Sequence, residues 1–111
     1  MIEEIIVNYL NSRLSVEANM ERPEELQESY VLIERTGGGE SNFIKVATIV
    51  IQSYATSLYQ AAALNESVKE FMEELVLLDA IVKVKLNTDY NFTDPDTKEY
   101  RYQAVYEISY Y

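Results

Sequence analysis

From Tyr100 to Tyr110 the chain alternates, with Tyr100, Tyr102, Ala104, Tyr106, Ile108 and Tyr110 set against Arg101, Gln103, Val105, Glu107 and Ser109. A period of two over eleven residues fits a β-strand with one buried and one wet face, and no helix keeps those residues on one side. Two other segments carry the helical period. Ile2, Ile5, Ile6, Tyr9, Leu10 and Leu14 recur at i, i+3 and i+4. Leu58, Ala61, Ala62, Val68, Phe71, Met72 and Leu75 form a second such stripe. The spacing predicts helices over 2–14 and 57–77. A chain that switches between the two periods in this way builds helices against a sheet.

The remaining elements follow from local chemistry. Ser57-Leu58-Tyr59-Gln60 has capping-box spacing and marks the start of the second helix, and Leu64-Asn65 suggests a bend inside it. Ser15–Met20 reads as a short extended piece, and Glu21–Glu28 as a solvated polar connection. Tyr30–Arg35 reads as a strand running into Thr36-Gly37-Gly38-Gly39-Glu40, which holds all three glycines. Three adjacent glycines maximise backbone freedom, so Thr36–Ser41 reads as a mobile hairpin tip. Phe43–Tyr54 is apolar on both alternating faces, as in a central strand covered on both sides. Ala80–Asn87 is a further strand, followed by a loop over 88–99 with a turn at Asp94-Pro95-Asp96-Thr97. The order is α-β-β-β-α-β-β. The expected fold is α+β, an antiparallel (mixed) sheet of about five strands flanked by two helices, in one domain over 1–111.

Composition excludes several function classes. The chain has 19 acidic and 9 basic residues, a net charge of −10. Such a chain is a poor binder of phosphate backbones by counterion release. It has no cysteine and no histidine. Their absence removes disulfides, thiolate zinc sites, Cys–His and Ser–His–Asp catalysis, and the histidine pH switch. The apolar runs fall far short of the ~18 residues of a membrane span. Glu3 and Glu4 stand where a secretory signal carries positive charge, so synthesis in the cytoplasm is expected.

Other chemistry is weak. Asp94, Asp96 and Glu99 supply the oxygen type that calcium wants, without the glycine that the EF-hand loop needs, so a plain acidic turn is expected. The pairs Glu24/Glu25 and Glu73/Glu74 lie in polar stretches, where solvated carboxylates are the rule. The glycine run has neither dinucleotide nor P-loop spacing. No catalytic, cofactor or metal residue is therefore assigned. The unusual feature is ten tyrosines without a tryptophan. Tyr102 and Tyr106 suit a core. Tyr9, Tyr30, Tyr54, Tyr59, Tyr90, Tyr110 and Tyr111 exceed what one core needs, and tyrosine is enriched at protein interfaces.

Four stretches together carry a family likeness. They are Met1–Leu10; Glu21-Arg22-Pro23-Glu24-Glu25 leading to Tyr30–Gly37; Ile51–Ser57 entering a helix with Ala61-Ala62-Ala63-Leu64-Asn65; and Tyr90-Asn91-Phe92-Thr93 before the tyrosine-rich strand. In their order and spacing the chain resembles the tail terminator, or tail-completion, proteins of siphoviruses and prophages. The resemblance implies a small α+β fold, no enzymatic activity and no cofactor. It implies a homo-hexameric ring at the head-proximal end of the tail, bound to the tail tube protein and to neck and connector proteins, in the virion. DNA would pass through such a ring without being specifically bound, and an acidic lumen suits that passage. The candidate interface residues are Arg22, Tyr30, Thr36, Gly37, Gly38, Gly39, Glu40, Tyr54, Tyr90, Phe92 and Tyr110. A head-side adaptor or stopper of the same neck, and a small regulatory binding module, are the alternative expectations.

Overall fold

A computed structural model describes residues 1–25 and 27–111. Leu26, inside the expected polar connection, lies outside the described residues. The apolar stripe Ile2, Ile6, Tyr9 and Leu10 is the buried side of α1 (Ile2–Asn11). Full burial of an Ile or Leu contributes roughly 1.5–3 kcal/mol, so this stripe fastens a short helix that would not persist alone. The helix stops three residues before the expected Leu14. Ser12 Oγ donates to the Tyr9 carbonyl at 2.6 Å, and the Asn11 amide turns away to pair with Ala18, donating to its carbonyl at 2.9 Å and accepting from its N–H at 2.8 Å. Side chains that compete for backbone groups end helices. Here they also hold β1 (Glu17–Asn19) in place.

β1 lies parallel to the start of β2 (Tyr30–Ser41), which pairs antiparallel with β3 (Ile44–Tyr54). After β3 comes α2 (Leu58–Glu74), closed by a single 3-10 turn at Leu75–Leu77. β4 (Ile81–Asn91) and β5 (Arg101–Tyr110) complete a five-stranded mixed sheet of order β1-β2-β3-β5-β4. The fold is α+β with the order α-β-β-β-α-β-β.

Ser57 caps α2, accepting the Gln60 N–H at 3.1 Å. The other half of the capping box is diverted, since Thr56 Oγ1 donates to the Gln60 side chain at 2.7 Å. The buried positions are Ala61, Asn65, Val68, Met72 and Leu75, spaced four and three apart. Asn65 thus occupies a core position in a continuous helix, not a bend, while Leu58 of the expected stripe is exposed.

Both helices cover the same side of the sheet. Val31, Ile33, Ala47, Ile49, Ile51, Ala104, Tyr106 and Ile108 meet the two helices in one core. β3 is central, as expected, but no helix covers its second face. There Ile44, Val46, Thr48 and Gln52 are half-exposed, and of this face of β3 only Val50 and Tyr54 are buried among the described residues. β-branched residues satisfy a central strand's neighbours on either face, so an apolar pattern on both does not require two covering layers.

The glycine run is strand, not hairpin tip. Gly37, Gly38 and Gly39 pair with Thr48, Ala47 and Val46 just after a bulge at Thr36. No glycine has positive φ; the two-residue turn is Asn42-Phe43, with φ of 52° and 68°. Those values match the left-handed turns that suit a twisted hairpin. Asn42 tolerates that conformation, and Phe43 takes it at the tip with its ring 90% exposed. Gly38 is required for a different reason: a Cβ there would lie 2.6 Å from the Val46 carbonyl oxygen.

β4 runs to Asn91, four residues into the expected loop, and carries register shifts between Ile81 and Lys83 and between Leu86 and Thr88. Each bulge flips the alternation, so Ile81 and Val84 both reach the core although they lie an odd number of residues apart. The turn at 94–97 forms as expected. Asp94 Oδ1 accepts the Asp96 and Thr97 N–H groups at 2.9 and 3.4 Å.

Candidate interaction surface

At the end of the sheet where β2 begins and β3 ends, two loops rise on either side of Tyr30 and Tyr54. These residues are cross-strand partners, and their rings stack at 4.6 Å with an interplanar angle of 13°. Offset-stacked aromatic pairs add about 0.5–1.5 kcal/mol beyond their buried area. Arg22 comes from the first loop and Glu99 from the second. They form an ion pair at 2.6 Å that straps the loops together. A cleft of about 410 Å³ lies between them, walled by Tyr30, Tyr54, Thr56, Glu28, Arg22 and Glu99.

Two guanidinium groups converge on the Tyr54 hydroxyl. Arg101 donates to it at 3.1 Å and Arg22 at 3.5 Å. Tyr54 in turn donates to Gln52 at 2.9 Å. Gln52 donates to Gln103 at 2.7 Å, and Gln103 donates to the Tyr90 hydroxyl. Arg101 also donates to the Phe92 carbonyl at 2.7 Å and lies 4.6 Å from the Phe92 ring centroid. Phe92 meets Tyr90 edge to face at 5.8 Å. The network therefore crosses β3, β5 and β4 on the face that no helix covers. Its pieces come from strand positions fixed by the pairing of Gln52 with Gln103, Tyr54 with Arg101, and Tyr90 with Gln103.

The electrostatics follow the geometry. The hydrogen bond to Glu99 holds the Arg22 guanidinium more firmly protonated than usual, against a smaller opposing effect of burial. Burial pushes the Tyr30 phenol above its ordinary value, partly offset by the Arg22 charge. The Tyr30 phenol therefore stays neutral at physiological pH. Above the buried ring stack the cleft presents a strapped arginine and hydrogen-bonding groups, which is the chemistry of recognition. Among the described residues no three carboxylates converge to hold a metal ion, and the Asp94 carboxylate is engaged by two backbone N–H groups. Among the described residues no helix is long and apolar enough to cross a membrane.

Of the residues expected at an interface, Arg22, Tyr30, Tyr54, Tyr90 and Phe92 gather here. Tyr30 and Tyr54 are 7% and 3% exposed, so they shape the cleft from below and offer little free surface. Tyr9 is buried too, its hydroxyl donating to the Phe71 carbonyl. Tyr59 and Tyr111 are the tyrosines exposed most fully. Thr36, Gly37, Gly38, Gly39 and Glu40 lie away from this cleft, on the far half of β2, and Tyr110 lies opposite Lys45 near the same end. Sequence reasoning missed Gln52, Glu99, Arg101 and Gln103. Gln52 and Gln103 are uncharged polar residues among other polar strand positions, so neither stands out locally. Nothing in the sequence paired them until the β3–β5 register was known. No protein-family model matches the chain, and no curated protein matches it in sequence.

Proposed function

We propose that this protein is a non-enzymatic structural component of a phage-type virion, a tail terminator that closes into a ring on the head-proximal end of the tail tube. The observation that carries the self-assembly in this reading is the pair of open sheet edges. Among the described residues β1 covers only Tyr30–Leu32, which leaves the outer edge of β2 from Ile33 to Ser41 without a strand partner there. β4 is the opposite edge and pairs only with β5. Unpaired edges are templates for another chain. The four strands β2, β3, β5 and β4 alternate in direction, so a second copy set head to tail meets the first with β2 antiparallel to β4. The charges on these edges lean in opposite directions, Glu34 and Glu40 outnumbering Arg35 on β2 and Lys83 and Lys85 outnumbering Asp89 on β4. A repeated heterologous contact of this kind closes a ring when the rotation allows it.

In this reading the tail tube protein is the partner on one side of the ring, and neck proteins are the partners on the other. The net charge of −10 per copy keeps a lumen unattractive to DNA. The test is electron microscopy of the purified protein mixed with tail tubes. Rings capping one end of each tube are the expected outcome. Protein that never associates with tubes, at any salt or concentration, rejects the reading. The cleft over Tyr30 and Tyr54 favours a second reading, a small binding module, which predicts a monomer and a saturable small ligand instead.

A further inference from the structure

A second cleft, of about 230 Å³, lies between α2 and β4, away from the tyrosine–arginine network. Tyr106 lines it and is 97% buried, being 3% exposed. The hydroxyl of Tyr106 makes no hydrogen bond among the described residues, and unlike Ser53 Oγ and Asn65 Oδ1 it is not sealed off, since Tyr106 opens onto the cleft. Along the mouth α2 sets Glu66, Glu70 and Glu73 on one face, with Lys69 among them. Lys69 is committed elsewhere: it pairs with Glu66 at 2.8 Å and with Asp89 at 3.3 Å. Glu70 and Glu73 have no ion pair among the described residues. Like charges spaced three and four apart on a helix destabilise it by a few tenths of a kcal/mol per pair. The phenol sits in the resulting field: after burial itself, the charges that push its ionisation upward are those of Asp89, Glu73 and Glu66. On the β4 side the wall is apolar, made by Val84 and Leu86.

We propose that this cleft binds a primary alkylammonium group, with the ammonium held between Glu70, Glu73 and the Tyr106 hydroxyl and the alkyl stem lying along Val84 and Leu86. The phenol oxygen accepts one N–H, and the two carboxylates accept others. A cation there offsets the repulsion between Glu70 and Glu73, which no ion pair among the described residues relieves. An ammonium fits better than a bare cation because the site combines an apolar wall with an unused hydrogen-bond acceptor at its floor. The proposal rests on the α2–β4 cleft alone and does not depend on ring assembly.

The experiment follows the Val84 and Leu86 methyl resonances while n-butylammonium chloride is added at constant ionic strength. Tetramethylammonium, which has the charge without the N–H donors, is the control. Saturable shifts with n-butylammonium and none with tetramethylammonium are expected. Tyr106→Phe, which keeps the ring, should weaken binding by roughly tenfold, the loss of one hydrogen bond to a charged group. Glu70→Gln combined with Glu73→Gln should abolish it. Identical non-saturating shifts with the two ions, or undiminished binding by the double glutamine variant, would overturn the proposal. A protein lysine and a free diamine carry the same chemistry. Titration with Nα-acetyl-lysine N-methylamide and with putrescine separates them, the tighter binder identifying the source and binding of neither rejecting the site.

Discussion

Gln52 and Gln103 face each other across β3 and β5, with the Gln52 amide nitrogen 2.7 Å from the Gln103 carbonyl oxygen. Each amide is used at both ends. Gln52 accepts from Tyr54, and Gln103 donates to Tyr90. The hydrogen bonds therefore run in one direction from Tyr54 to Tyr90, and cutting the middle leaves polar groups stranded on both sides.

Gln103→Leu should destabilise the fold by about 0.5–1.5 kcal/mol for each of its two hydrogen bonds, the net worth of such bonds when the partners, half-exposed Gln52 and exposed Tyr90, can turn to water. Replacing Gln52 and Gln103 together with Leu should cost less than the two single changes added, because the second change removes a group already stranded. Residues in one network commonly couple by about 0.5–3 kcal/mol. Urea denaturation of the three variants measures this. Strict additivity would show that the two amides act independently.

The three glycines divide by what surrounds them. Gly38→Ala should destabilise strongly, since its Cβ meets the Val46 backbone oxygen at 2.6 Å. A Cβ at Gly37 finds only ordinary contact with Thr48 at 3.8 Å, and one at Gly39 finds nothing within 4 Å. With φ negative at both, Gly37→Ala and Gly39→Ala should each stabilise the monomer by about 0.4–1 kcal/mol through the unfolded chain. Thermal melts decide the order. Destabilisation by all three alike would mean that β2 is more constrained than its pairing indicates.

The sheet was legible wherever local period and burial agree. Ala104, Tyr106 and Ile108 are inward on β5 as their alternation demands, and Ile2, Ile6, Tyr9 and Leu10 are inward on α1. Legibility fails where a long-range fact decides. Glycine chemistry at 37–39 reads as a turn, yet the turn falls at Asn42-Phe43 because the register with β3 carries the strand past the glycines. The bulge after Ile81 hides which face of β4 is inward. Of the cleft, the tyrosines stand out by composition. Glu99 and Arg101 owe their roles to loops that meet only in the folded chain, and no local pattern encodes that meeting.

Asn65 tests how α2 seats on the sheet. It is 1% exposed, donates to Asp89 at 3.2 Å, and leaves its Oδ1 without a hydrogen bond among the described residues. Asp89 keeps Lys69 if Asn65 is replaced. Asn65→Leu fills the same core position with an apolar side chain of similar size and removes an unsatisfied acceptor. Stability should be unchanged or raised by about 1 kcal/mol, since an unpaired buried polar atom costs ~1–3 kcal/mol. A loss above that range in urea denaturation would show that the amide holds the α2–β4 contact in a way its one hydrogen bond does not convey.

The alkaline limit of stability should depend on Tyr106. Burial, followed by the charges of Asp89, Glu73 and Glu66, pushes its phenol well above the ordinary value of 10.0. In the unfolded chain the phenol ionises near that ordinary value, while in the folded protein it stays neutral. Its contribution is therefore fully present below about pH 10 and is lost as pH rises through the interval between the two values. Lys69 acts in the same direction, since its bonds to Glu66 and Asp89 raise its value above 10.5 and its stabilising charge is lost at high pH. The two are separable by substitution. Tyr106→Phe removes one ionisation from the unfolded state and should flatten the fall of unfolding free energy above pH 10 by up to ~1.4 kcal/mol per pH unit, leaving the slope below pH 9 unchanged. Urea titrations at closely spaced pH values measure both slopes. An unchanged alkaline slope in the Phe variant would show that the phenol ionises equally in both states, which its burial beneath α2 does not permit.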